Sequence, residues 1–316
     1  MLEPSDLPLV NMIWMDNSVT LDPRFARRPD GRNLSKSIKV GEPEKPIIDG
    51  ASMFHESRMK LYRARYHTLT ASLVWEGFMD LDNELVRLEF DAAKGTHRLR
   101  TDMGPPPDFR LAISDTLRCL RSALDYLVSA LARSKTLPED STIFPFNEKR
   151  QRVAESFSPV SGKRRRAGAL YAVYGAYPDL KKIILDIIQP YSASDGAGAM
   201  GDFLWRLITM DNIDKHRLLS PVISLARIKE GHVGEPGEMS FKNVSFAGFT
   251  RPPITIRGAT PETKAEFDYS TDILFPPESR LPGKPVLSSL VEGANLVGKV
   301  IKIFETVFEG KDYPPG

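Results

Sequence analysis

Residues 203–219 read FLWRLITMDNIDKHRLL, and no other stretch constrains the packing of this chain as tightly. On a helical wheel Leu204, Leu207, Ile208, Leu218 and Leu219 share one face with Asp211 and Lys215, since residues three and four apart stack along one side of a helix. An apolar stripe broken by an acid and a base must pack where both charges are paired, because an uncompensated buried charge is too costly. Asp211 stands four residues before Lys215, the better order for an ion pair within a helix. A second row carries Trp205, Asn212 and His216, with the Asn212 amide one turn from the imidazole and able to fix its tautomer. Asp214 and Arg217 project from further sides. The C-terminal half of the helix is therefore polar almost all round and must face solvent, a cavity or another polar helix.

The obvious counterpart is a helix expected over residues 107–134. Its residues Ile113, Leu117, Leu120, Leu124, Leu127, Val128 and Leu131 fall on one face and read as core. Beside them runs a stripe of Ser114, Arg118, Arg121 and Asp125, which taken alone is a solvated flank. An exposed Arg121–Asp125 pair, in the weaker base-then-acid order, contributes only about 0.3–0.5 kcal/mol, so helix stability does not account for it. Two uses of the combined charges stay open. Asp211 or Asp214 meeting Arg118 or Arg121 across a helix contact would form a network that fixes packing. Alternatively His216 moves a proton, Arg121 and Lys215 stabilise a phosphate or oxyanion, and Asp125 or Asp211 orients them. A metal site on Asp211, Asp214 and His216 is a third, lesser option.

The remaining segments supply the frame. Residues 1–48 are rich in proline and charge and read as an irregular arm, with residues 14–19 as a segment able to dock. Met53, Leu61, Tyr62, Tyr66, Leu69 and Leu73 predict an amphipathic helix over 52–78. Segments 85–90 and 96–101 predict a hairpin, and 222–228, 239–246, 253–257 and 265–275 a small antiparallel sheet. Shorter helices are expected from about residue 151, over 167–176 and over 178–188, and a long one over 286–308. Residues 192–201 are glycine-rich but lack the lysine and hydroxyl of a phosphate-binding loop, so they read as a flexible connector. The run KRRR at 163–166 reads as a solvated face. His55, His67, His97 and His232 stand isolated in the sequence and read as surface or capping residues.

Charge is balanced, 43 basic against 41 acidic residues, which excludes a general polyanion binder; any anion site must be a local patch. The one cysteine, Cys119, excludes a disulfide framework within the chain and a cysteine-based zinc site, and fits a reducing compartment. The apolar run 7–15 follows Glu3 and Asp6, has no basic leader and is too short to span a bilayer. The reading is cytoplasmic, with no membrane partner and no cofactor.

The succession DTLRCLRSALDYLV (115–128), IFPF (143–146), IQPY (188–191) and DNIDKHRLL (211–219) resembles a family of uncharacterised bacterial and phage-associated proteins, over about residues 54–309. The usual form of that family places a histidine directly after the aspartate of the first motif, giving arginine, four residues, then histidine. This spacing is similar to the signature of HEPN domains, helical bundles many of which are metal-independent RNases that act as dimers. The resemblance implies an RNA or nucleotide partner, a homodimer, a role in bacterial defence, and Arg121 as the matching arginine. Tyr126 stands where the histidine would be. A tyrosine hydroxyl, with a pKa near about 10, is a poor general base at neutral pH. His216 would then supply the base, provided the two helices pack side by side.

The expected architecture is mainly α with added β (α+β): a helical bundle core of about five helices, an early hairpin and a small antiparallel sheet before the last helix. It comprises an arm, 1–48, and one domain, 49–316. The leading functional reading is a HEPN-like RNA- or nucleotide-binding protein with metal-independent endoribonuclease activity. Its catalytic group would be His216, Arg121, Lys215, Asp125 and Asp211, and its binding group Arg118, Tyr126, Asn212, Asp214 and Arg217. The alternative is a non-catalytic interaction or scaffold protein whose charged helix pair is structural.

Overall fold

A computed structural model describes the backbone of residues 13–15, 18–20, 52–80, 87–91, 93, 96–100, 105–138, 143–159, 170–216, 221–233, 239–245, 255–257 and 265–310. Side chains are described for 52–79, 93, 105–138, 143–159, 170–212, 221 and 273–310. The chain divides into two compact units, Met1–Gly50 and Ala51–Gly316. Within the first, expected to be irregular, β1 (Ile13–Met15) pairs antiparallel with β2 (Ser18–Thr20).

The second unit is mainly helical among the described residues. Four long helices make its centre: α1 (His55–Asp80), α2 (Pro107–Ser134), α6 (Ala199–His216) and α7 (Val286–Glu309). Three short ones lie between α2 and α6: α3 (Arg150–Glu155), α4 (Tyr171–Ala176) and α5 (Asp179–Lys182). Helix α2 packs on α1, α6 and α7, and α7 also packs on α1 and α6. Pro107 opens α2 at a position where its missing N–H costs nothing. The seven apolar residues expected on its core face are all buried.

Of the residues expected on the apolar face of α1, Leu61 and Leu69 are buried, Met53, Tyr62 and Leu73 are half-buried and Tyr66 is exposed. The buried face also takes in Ser57, Ala64, Thr68, Ala71, Ser72 and Trp75. Small residues on that face, Ala64, Thr68 and Ala71 among them, let α1 and α2 approach closely. A similar approach joins α6 to α7, where a β-carbon added at Gly293 would collide with Leu207 Cδ2.

The end of α7 secures the start of α1. Glu309 Oε1 accepts from Ser52 Oγ at 2.9 Å and from the Met53 N–H at 2.7 Å, satisfying a donor at the helix N-terminus. One turn further in, Arg58 makes a two-bond pair with Glu305, which is 0% exposed. Phe54, Phe144 and Phe308 pack around Phe304, at ring separations of 5.9, 6.5 and 5.5 Å.

The helix expected over 178–188 is one α turn followed by a π-helical stretch, Ile183–Ile188. Gln189, at φ 56°, closes it with an N–H bond to the Ile184 carbonyl. Residues 192–201, expected to be a flexible connector, are pinned instead. The Ala193 N–H donates to Asp202 Oδ1 (2.9 Å), the Gly198 N–H to Gln189 Oε1 (2.8 Å) and the Arg150 N–H to Asp195 Oδ2. Gly201 lies so close to the Gln189 carbonyl that a β-carbon there would overlap it.

Outside the helices, β3 (Arg87–Asp91) pairs antiparallel with β4 (Thr96–Arg100), and β4 with β7 (Thr255–Arg257). Strand β5 (Val222–Val233) lies between β6 (Met239–Ser245) and β8 (Ala265–Leu274), antiparallel to both. Among the described residues β7 thus pairs with β4 and not with its neighbours in sequence. No described helix is long and apolar enough to cross a membrane.

Candidate functional site

Helix α2 carries both the core stripe and the polar stripe, and the structure divides the polar residues between two environments. Arg121 turns inward and is 8% exposed. Its Nε donates to Asp125 Oδ2 at 3.0 Å and its Nη2 to the Phe144 carbonyl at 3.3 Å. The guanidinium plane lies over the Phe146 ring, 4.1 Å from its centre, a cation–π contact in a desolvated setting. Asp125 closes the unit by accepting the Phe144 N–H on Oδ1 at 2.9 Å. An arginine and an aspartate one turn apart therefore grip both backbone groups of Phe144. The segment IFPF at 143–146 is held on α2 by this grip.

Across the α2–α6 contact stands Asp211, 2% exposed. Burial pulls the Arg121 guanidinium below the ordinary arginine value. The charge and hydrogen bond of Asp125, and then the charge of Asp211, oppose that pull. Arg121, Asp125 and Asp211, assigned to a catalytic group from sequence, are thus brought together, one base between two acids. Only Nη1 of Arg121 lacks a hydrogen bond among the described residues, and it is enclosed. A guanidinium so engaged has no free fork for a phosphate.

The remaining candidates lie apart. Arg118 is exposed and makes no hydrogen bond or ion pair among the described residues. Tyr126 is half-buried on the α1 side, with Lys60 Nζ 5.7 Å above its ring. Asn212 is exposed. Asp214, Lys215 and His216 continue the backbone of α6, but their side chains lie outside the described residues, as does all of Arg217. The run 163–166 and the side chains of His97 and His232 also lie outside them. Among the described residues no group of three or more His, Cys, Asp or Glu is placed to hold a metal ion.

Two features escape sequence reasoning. The partners of Arg121 and Asp125 on the loop are backbone groups of Phe144, which carry no sequence signal. Cys119, with only Arg118 as a cation nearby in sequence, also has Lys60 and Arg63 of α1 close by. Burial nevertheless raises its thiol pKa, outweighing the three cations. A neutral, half-buried thiol of this kind is a poor nucleophile. Comparison with known proteins finds no matching family model, no matching curated protein and no matching solved structure.

Proposed function

We propose that this chain is a non-catalytic interaction protein of α+β architecture, a helical core decorated by strand pairs, whose charged α2–α6 pair is structural. One observation carries the reading: Arg121 is enclosed, bound by Asp125 and the Phe144 carbonyl, and stacked on Phe146. A phosphate-binding arginine in a nuclease presents its donors to substrate, whereas this one spends them on a loop. The second reading, a HEPN-like homodimer that binds or cleaves RNA or a nucleotide, is supported by exposed Arg118, whose donors are unmatched among the described residues.

Incubation of the full chain and of His216→Ala with single-stranded RNA, with and without chelator, separates the two. The interaction reading expects no cleavage by either protein. Chelator-resistant cleavage by the wild type that is lost in His216→Ala at an unchanged melting temperature would overturn it in favour of the endoribonuclease.

A further inference from the structure

The seam between α1 and α2 opposite the core carries a patch that the charged α2–α6 pair does not use. The two helices run antiparallel, as their partners show: Glu56 bonds Arg133, Lys60 lies over Tyr126, Arg63 acts on Cys119, and Asp115 on His67. Residue numbers rise along one helix as they fall along the other. On α1 the residues Met59, Lys60, Arg63, Tyr66 and His67 recur at helical spacing, as Leu111, Asp115, Arg118, Cys119 and Tyr126 do on α2. Each set therefore lies on one side of its helix.

Met59 (37% exposed), Tyr66 (45%) and Leu111 (54%) are three of the seven large apolar side chains left exposed among the described residues. Interleaved with them are Lys60, Arg63 and Arg118. Neither Arg63 nor Arg118 has a hydrogen bond or ion pair among the described residues. Two acids lie on the seam, Asp115 and Glu56, and Glu56 is held by Arg133.

We infer that this seam is a docking groove for an acidic amphipathic helix of a partner protein, whose apolar side chains cover Met59, Tyr66 and Leu111 while flanking carboxylates meet Lys60, Arg63 and Arg118. The inference rests on the interaction-protein reading and names the partner's chemistry. Met59 and Tyr66 are two turns apart, roughly 10 Å, the repeat at which a partner helix presents side chains i and i+7. Exposed apolar groups interleaved with cations, of which Arg63 and Arg118 are unpaired among the described residues, make a binding patch with a defined sign.

Other occupants fit less well. A second copy docked by the same face would set these cations against themselves. A single-stranded nucleic acid needs free aromatic faces for stacking. The Tyr126 ring instead carries Lys60, and Met59 and Leu111 offer no stacking surface, which leaves Tyr66 as the single exposed ring of the patch.

The test uses the full chain and a fluorescein-labelled helical peptide of leucine and glutamate, with leucines at i, i+3 and i+7. Saturable binding is expected, together with slower alkylation of Cys119, the chain's one thiol, which lies in the seam. Arg63→Glu and Arg118→Glu, both at exposed positions, should keep the melting temperature and each weaken binding about tenfold or more. The doubly reversed protein should bind a leucine–lysine peptide instead.

No saturable binding, or equal binding by the reversed variants, overturns the groove. Oligouridine bound more tightly than the peptide and lost in the same variants overturns it in favour of a nucleic acid. RNA cleavage is read in its own assay, so failure of the groove and failure of the interaction reading give different results.

Discussion

Replacing Arg121 with methionine removes the charge between two acids together with the guanidinium that lies over Phe146, and keeps only the aliphatic stem. Two hydrogen bonds are lost, at 3.0 Å to Asp125 and at 3.3 Å to the Phe144 carbonyl. The Asp125 side chain is 32% exposed, so water replaces much of what it loses. Asp211, at 2% exposure, has no such recourse to solvent. Breaking a buried pair from one side costs about 3–5 kcal/mol, and the exposure of Asp125 puts the expected loss near the lower end, about 3 kcal/mol. For a unit of this size each kcal/mol lowers Tm by about 2–4 °C, so the variant should melt about 6–12 °C lower. Urea titration should show a lower midpoint at an unchanged m-value, and hydrogen exchange should show faster exchange of the Phe144 amide. Arg121→Lys should recover less than half of the loss, because an ammonium cannot span Asp125 and the Phe144 carbonyl while stacking on Phe146. A loss under about 1 kcal/mol for Arg121→Met would refute the reasoning, since the guanidinium would then be dispensable to the fold.

Gly293→Ala places a methyl group against Leu207 Cδ2 at the α6–α7 contact and should destabilise by about 1–3 kcal/mol, measured by urea titration; a neutral result would mean the helices part without cost. His67 titrates below the ordinary histidine value of 6.5, chiefly because burial disfavours its cation, with the Arg63 charge adding to the shift and Asp115 opposing it. The folded state therefore binds fewer protons than the unfolded one. Its contribution to stability is lost as pH falls from 6.5 through the lower folded value. An NMR midpoint for His67 at or above 6.5 would contradict this.

What the sequence reveals and what it hides follow from where the information lies. Helix α2 begins and ends where its spacing predicts, because Pro107 and an unbroken apolar stripe are local signals. The buried side of α1 is only partly local: Leu61 and Leu69 of its apolar pattern are buried, whereas Tyr66 of the same pattern is exposed, because the packing of α2 on α1 decides the rest. The π-helical turn at Ile183–Ile188 depends on the Gln189 N–H reaching the Ile184 carbonyl and on Tyr191 Oη donating to the Leu185 carbonyl, neither of which composition encodes. At the site, Asp211 on an apolar stripe signals a need for a charged counterpart, and the charge of Asp211 acts on Arg121 of α2. Sequence could not say that Arg121 would be taken up by the backbone of Phe144 and leave Arg118 outside.

The bonds from Glu309 and Glu305 to the first turns of α1 join residues 257 and 247 positions apart. During synthesis the N-terminal end of α1 has no such anchor until α7 has left the ribosome. Until then Arg58 stays hydrated, and the aromatic pocket around Phe304 has no centre. Loop closure over that length costs entropy before any contact repays it. The helical core is therefore latched last, and a chain stopped short of residue 305 should stay loose at its beginning as well as at its end.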